Sequence, residues 1–331
     1  MLRIANYYEA RLGRNDGNPL YVQACLKRMQ YFSGICAGLG ANKDMAGWFP
    51  GDLVDPRAEK SAKDLWEKHH QLMEVDHLYP VGDMSPFGTY DLNIHVDWGE
   101  DGLTGILPYS PIDTPHPMAY WASDTHLGYN YRLSVAKKAD FVFCAQKKGA
   151  EDMKRDGVSN ALWLPHAVEP LAYPKFDLLT KKYDICFVGH VSSPNREFAL
   201  DRMFAAFPNF YYGQALFEEA ARKYAESKIV FNIAMKEDVN MRCFEALATG
   251  SFLLTDWVPS IDELFEDGKH LVLYRSLEEA IDKAKYYIEH DDEREKIAQA
   301  GYEHVMAHHT IQHRVDVILN TFLHSKALVN A

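Results

Sequence analysis

Two carboxylates, Glu237 and Glu245, are separated by seven residues in E-D-V-N-M-R-C-F-E-A-L-A-T-G (237 to 250). A carboxylate on a helix can accept two hydrogen bonds from vicinal hydroxyls of the kind ribose presents. A loop carboxylate, with the amides of Asp238, Val239 and Asn240, can face a hexose. Arg242, close to the helix start, can add charge toward a diphosphate; the bland alternative for Arg242 and Glu245 is a structural ion pair. The spacing alone is weak, because such glutamate pairs arise by chance in a chain of this length.

A second group lies in G-H-V-S-S-P-N-R (189 to 196). Gly189 allows close backbone approach, His190 follows it, and a helix starting near Asn195 would turn its positive dipole end toward an anion. Arg196 can fork onto phosphate oxygens. The plain alternative is an ordinary strand-to-helix turn with an exposed arginine.

In the first half, Asp124 and His126 follow an apolar run and can act as a general base or as sugar-hydroxyl partners. A helix-capping Asp124 and a structural His126 are the competing reading. Asp16 and Gly17, in an early loop, and Asp97, after another apolar run, are candidates for contacting an acceptor, although loop aspartates also cap helices and make turns. The pairs His304/His308 and His309/His313 have helical spacing that zinc can use, but no H-E-x-x-H motif accompanies them and no metal site is expected.

Short apolar runs alternate with amphipathic stretches along the chain, the signature of parallel βαβ units. Strands are expected at 2–7, 92–96, 118–121, 141–145 and 161–164, then at 183–188, 210–212, 229–234, 251–255 and 271–274. Helices are expected at 19–30, 58–74, 127–138 and 147–155, then at 195–207, 217–227, 240–249, 260–266 and 277–290. The tail, 292–323, reads as helical throughout, with Val305, Ile311, Val315, Ile318 and Phe322 along one stripe. Three prolines between Pro165 and Pro174 suit an extended hinge. The expectation is an α/β protein with two open sheets in tandem: a first domain over 1–170, a second over 171–305, and a terminal helix over 306–331.

The chain has 331 residues, enough for two such domains, and 47% are hydrophobic. A formal net charge of -12 argues against a general attraction to nucleic acid or an anionic membrane, so an anionic ligand must be held locally. Five scattered cysteines without a C-x-x-C pair argue against a disulfide framework, and no apolar run is long enough for a membrane span. The start lacks a signal-peptide pattern, and a soluble, cytoplasmic protein is expected.

The segment 237–250 resembles the E-x7-E element of retaining GT-B glycosyltransferases (glycosyl transferases group 1). Its continuation N-M-R-C-F-E-A-L-A-T-G-S-F-L-L-T-D is similar to the CgeB-type, spore-maturation branch. The likeness extends through S-I-D-E-L-F-E-D-G-K-H-L-V-L-Y and, in the first half, G-R-N-D-G-N-P-L-Y-V and A-Y-W-A-S-D-T-H-L. It implies two Rossmann-like, doubly wound domains facing a cleft, the nucleotide on the second and the last helix crossing back to the first. It also implies a UDP- or GDP-sugar donor and a diphosphate neutralised without a metal; no D-x-D follows a strand in the second half. In such enzymes a histidine at the strand end approaches the donor sugar, and His126 matches it. Retention of configuration is implied, whereas a true general base at Asp124 or His126 would give inversion.

The expected activity is transfer of a sugar to a saccharide, protein or small-molecule acceptor. A nucleotide-sugar 2-epimerase of the same fold and a non-catalytic coat or binding protein are the competing functions.

Overall fold

The computed structural model describes residues 2–7, 22, 25–27, 29, 60–64, 73–78, 90–97, 115–176, 179–191, 193–236 and 238–329. Asp16, Gly17 and Glu237 lie outside them. The chain divides into two compact units, Met1–Pro165 with Ile311–Ala331, and His166–Thr310.

The first unit is built on a parallel sheet of β1 (Leu2–Tyr7), β2 (Met73–Leu78), β3 (Leu92–Val96), β4 (Met118–Ala122), β5 (Phe141–Cys144) and β6 (Ala161–Trp163). Its strand order is β2-β1-β3-β4-β5-β6. Every residue of β3 and β4 is buried, as a parallel strand covered on both faces requires. Helices α1 (Tyr129–Ala136) and α2 (Lys147–Arg155) follow β4 and β5, and their residues Val135, Ala136, Ala150 and Met153 join a core with Met118, Tyr120 and Val142.

The second unit repeats the plan with β7 (Tyr183–Val188), α3 (Pro194–Ala206), β8 (Phe210–Gly213), α4 (Phe217–Ala225) and β9 (Ser227–Asn232). It continues with α5 (Met241–Ala248), β10 (Leu253–Asp256), β11 (Val272–Tyr274), α6 (Leu277–Glu289) and α7 (Asp291–His308). Its parallel strands run β11-β10-β9-β7-β8. The core gathers Ile185, Phe187, Ile229, Phe231 and Leu254 from the sheet with Leu200, Met203, Ala284 and Ile297 from the helices.

Both sheets reverse their winding at one place, between β1 and β3 in the first and between β7 and β9 in the second. Beyond the carboxyl ends of strands at such a reversal the flanking loops part and leave a crevice for a ligand. In the second unit those loops are 189–193 and 233–240, which lead into α3 and α5.

The structure departs from the sequence reading in four places. Residues 73–78 form β2, where a helix was expected to reach 74. The tail breaks at His309 and Thr310 into α7 and α8 (Ile311–Val329). The helix expected at 260–266 is a single 3-10 turn, Ile261–Glu263, entered through Ser260 in a left-handed conformation, φ 72°. The division between units falls at 165 and 310 rather than at 170 and 305. The cause is local: the Val168 amide donates to His309 O (3.1 Å) and Val168 bridges Thr310, so both ends of the second unit are tied together.

Helix α8 belongs to the first unit. Ile311, Val315, Ile318, Leu319 and Phe322 are buried, and the Phe322 ring meets Phe141 edge-on at 6.1 Å. Arg314 Nε donates to Pro165 O (2.7 Å), Ser61 Oγ to Asp316 (2.9 Å), and Lys326 pairs with Asp91 at 2.7 Å.

Candidate functional site

In the second unit the candidate residues gather at the sheet reversal. Strand β7 ends in Phe187 and Val188, and Gly189 follows with φ 151°, its amide donating to Gly213 O at 2.9 Å. The guanidinium of Arg242 lies where a Cβ on residue 189 would stand, so glycine is required by this close approach. His190 is exposed. Ser193 then caps α3 by accepting from the Arg196 amide (3.3 Å), with Pro194 in the first turn.

Arg242 reaches back from the start of α5. Its Nε donates to Val188 O (2.9 Å) and its Nη1 to Asn232 Oδ1 (2.6 Å), with the guanidinium 4.3 Å from the centre of the Phe187 ring. It also hydrogen-bonds the buried Tyr224 hydroxyl, whose ionisation is pushed up by burial and by the neighbouring Glu245 carboxylate. Arg196 is buried on the same ring, 5.7 Å from its centre. The fork that the sequence suggested for phosphate holds protein carbonyls in this structure: Nη1 donates to His190 O (3.0 Å) and Nη2 to Ile233 O (2.7 Å). Burial, and then the adjacent charge of Arg242, lower its pKa to about 10, so it stays a cation at neutral pH.

The loop from β9 to α5 carries the remaining candidates. Lys236 takes a left-handed turn (φ 51°), the Asp238 amide donates to Met235 O (3.2 Å), and Asp238 and Val239 are buried. Asn240 occupies the cap position of α5 but makes no side-chain cap to a backbone amide; its Nδ2 donates to Asn232 Oδ1 at 3.2 Å and its Oδ1 accepts from the Cys243 thiol at 3.8 Å. The amino end of α5, with its positive dipole end, therefore stands at the sheet reversal without a cap from the Asn240 side chain. Glu245, half-buried, sits one turn in. The helix closes on Gly250 (φ 71°) with Ser251 N donating to Ala246 O and Gly250 N to Leu247 O, the paired bonds of a Schellman motif.

Three polar residues that the sequence reading missed organise this region. Asn232 ends β9, Asp256 ends β10 and Tyr274 ends β11. Asn232 Nδ2 donates to Thr255 Oγ1 (2.9 Å), and Asp256 accepts from the Ala234 amide through both oxygens (2.8 and 3.1 Å). The available signal was a polar residue closing an apolar strand run: S-K-I-V-F-N, L-L-T-D and V-L-Y.

In the first unit Asp97, expected at an acceptor, is the anchor of a buried ion pair. Arg132, its side chain fully buried, contacts Asp97 Oδ2 at 2.5 Å, and the Tyr120 hydroxyl donates to the same oxygen at 3.1 Å. Arg132 also binds Leu127 O. That pair holds the 123–127 turn, in which Asp124 adopts a left-handed conformation (φ 48°) and Thr125 donates twice to Gln146 Oε1 (3.0 and 3.1 Å). Burial raises the Asp124 pKa to about 6, while the nearby Arg132 works against the rise. Its φ costs roughly 1 kcal/mol or more in a residue with a side chain. His126, two residues on, is half-buried. The structure brings Asp124 and His126 to one turn at the carboxyl end of β4.

Residues 180–320 match a family model described as glycosyl transferase-like. The match spans most of the second unit, including every candidate in it, and the enzyme class read from the sequence rests on it.

No curated protein matches the chain. Among solved structures, HepE of Anabaena in complex with UDP-glucose superposes with a TM-score of 0.59 at 13% identity, covering 97% of this chain and 99% of that one. Sucrose-phosphate synthase of Thermosynechococcus elongatus gives 0.57 at 12% identity, covering 100% of both. TarM of S. aureus gives 0.51 at 12% identity, covering 70% of this chain and 54% of that one. At these identities the likeness establishes the fold, which is GT-B, with parallel-sheet α/β units.

Proposed function

We propose that this protein is a GT-B glycosyltransferase that takes its sugar from a nucleotide diphosphate sugar held by the second unit. One observation carries the reading: two arginines, Arg196 and Arg242, flank Phe187 at the reversal of the second sheet, beside the amino end of α5. Adjacent like charges repel, and an anion placed against both relieves that repulsion; a diphosphate is the anion of matching size and charge. Arg196 contributes charge and holds the loop, while Arg242 stands closer to the expected leaving group.

Glu245 then accepts from the ribose hydroxyls. Glu237, with the amides of Asp238, Val239 and Asn240, faces the sugar, and Gly189 and His190 line the phosphate side. UDP-sugars are the first donors to test, since HepE was solved with UDP-glucose. The arginines and the helix end supply the positive charge that a divalent ion supplies elsewhere, so transfer should proceed unchanged in EDTA. Asp16, Gly17, Asp124 and His126 are assigned to the acceptor side or to the reacting sugar, and the acceptor is a saccharide, protein or small molecule. The wording of 240–256 supports a place in the CgeB-type branch.

Retention, with the leaving phosphate taking the acceptor proton, is the preferred stereochemistry. Asp124 favours a second reading: a carboxyl with a pKa of about 6 is suited to general-base work near neutral pH, and that role would invert configuration. The anomeric configuration of the product, read by proton NMR, separates the two.

The central test is thermal shift against UDP-, GDP-, dTDP- and ADP-sugars, where a ligand at 100 times its dissociation constant stabilises by about 2.7 kcal/mol. A flat response to all four removes the proposal.

A further inference from the structure

Three successive backbone groups at the start of the β9–α5 loop are each held by a side chain from a different element. The Tyr274 hydroxyl, from β11, donates to Asn232 O at 2.8 Å. Arg196, from α3, donates to Ile233 O at 2.7 Å. Asp256, from β10, accepts from the Ala234 amide at 2.8 and 3.1 Å. A loop whose first residues are pinned on three sides enters the following helix along one path.

From these bonds we infer that Asp256 and Tyr274 are positioning residues for the diphosphate: they fix Asn232, and through it the guanidinium of Arg242 and the start of α5. The inference rests on the donor-binding reading above. The connection is direct. Asn232 Oδ1 accepts from both Arg242 Nη1 (2.6 Å) and Asn240 Nδ2 (3.2 Å), so a shift of the Asn232 backbone moves the charge and the helix entry together. Asp256 also faces Arg196 electrostatically and opposes the mutual repulsion of the two arginines.

Asn232 and Tyr274 are buried and Asp256 half-buried, which is costly for polar side chains at strand ends unless each is hydrogen-bonded, and an apolar strand end would have served stability alone. The same bonds serve placement. Tyr274 is well suited to a test because its ring stacks on Phe231, 5.6 Å between centroids and 17° between planes. Tyr274→Phe keeps that stack and removes one donor.

The experiment is calorimetric titration of the full chain with UDP and GDP and with the corresponding nucleosides, for wild type, Tyr274→Phe and Asp256→Asn. The expected result is diphosphate affinity roughly tenfold weaker in Tyr274→Phe, the equivalent of one hydrogen bond of about 1.4 kcal/mol, and weaker again in Asp256→Asn. Nucleoside affinity should fall by much less, because Arg242 faces the diphosphate directly while Glu245, which takes the ribose, stands a turn further along α5. A purely structural role would lower both affinities alike, and that outcome overturns the inference. Equal diphosphate affinity in wild type and Tyr274→Phe overturns it as well, as does unfolding of Tyr274→Phe at the titration temperature. If the wild type binds neither diphosphate, the donor reading fails and takes this inference with it. Binding by wild type that both variants retain in full removes the inference alone.

Discussion

Asp124 carries the clearest pH signature of any candidate side chain. Burial lifts its pKa from 3.8 to about 6 in the folded protein. If it serves as the base, activity rises with pH through about 6, and Asp124→Asn abolishes that limb of the pH-rate profile along with most of the turnover. Stability runs the other way. A carboxyl raised on folding stabilises fully below its unfolded value and loses that contribution as pH rises through 6, so Asp124→Asn should be more stable than wild type at pH 7, by on the order of 2 kcal/mol or less. Urea denaturation at pH 4.5 and 7 checks this, and a variant less stable at both values removes the account. His95 has the opposite sense. Buried on β3 with its pKa lowered to about 4, it contributes stability above 6.5 that is lost as pH falls through 4. Glu245→Gln keeps shape and removes charge; UDP affinity should fall about tenfold or more, the magnitude of a charge-assisted hydrogen bond. Titration calorimetry measures it, and undiminished affinity would return Glu245 to a structural role.

At the scale of elements, the face of α5 that receives α7 is set by Gly301. A Cβ there would run into the carbonyl of His270 and the side chain of Leu247, so Gly301→Ala should destabilise by about 1–3 kcal/mol. Thermal unfolding tests this, and a neutral result would mean that the two helices can separate without cost. Such packing was only partly legible beforehand. The small residues Ala246, Ala248 and Gly250 marked α5 as tightly packed, and short, mostly apolar runs such as those of β4 and β7, alternating with amphipathic stretches, announced a parallel sheet. Strand β2 was concealed because M-E-V-D-H-L continues the polar rhythm of the preceding stretch and offers no apolar run. The clamp around Asn232 was concealed for another reason. Its bonds join residues up to 42 positions apart, and no local pattern encodes a partner at that distance. The pairing of Asp97 with Arg132 was not legible, because a loop aspartate after a strand looks alike in sequence whether it meets a ligand or a buried arginine.

For the whole molecule, α8 is required to complete the first unit. Truncation after Thr310 removes Phe322 from the Phe141 ring and removes the bonds to Pro165, Ser61 and Asp91. Calorimetry of the truncated chain should show the first unit's transition lowered or lost. Retention of both transitions at their wild-type temperatures would contradict the division described above. Among the described residues no helix is long and apolar enough to cross a membrane. The first unit is also discontinuous in sequence, whereas the second is one uninterrupted stretch, His166–Thr310. On the ribosome, domains fold as units while the chain emerges. The second unit has all its residues before the first does, and the core of the first must wait for α8 before it can close. During that interval the apolar surface that Ile311, Val315, Ile318 and Phe322 later cover stands open to water.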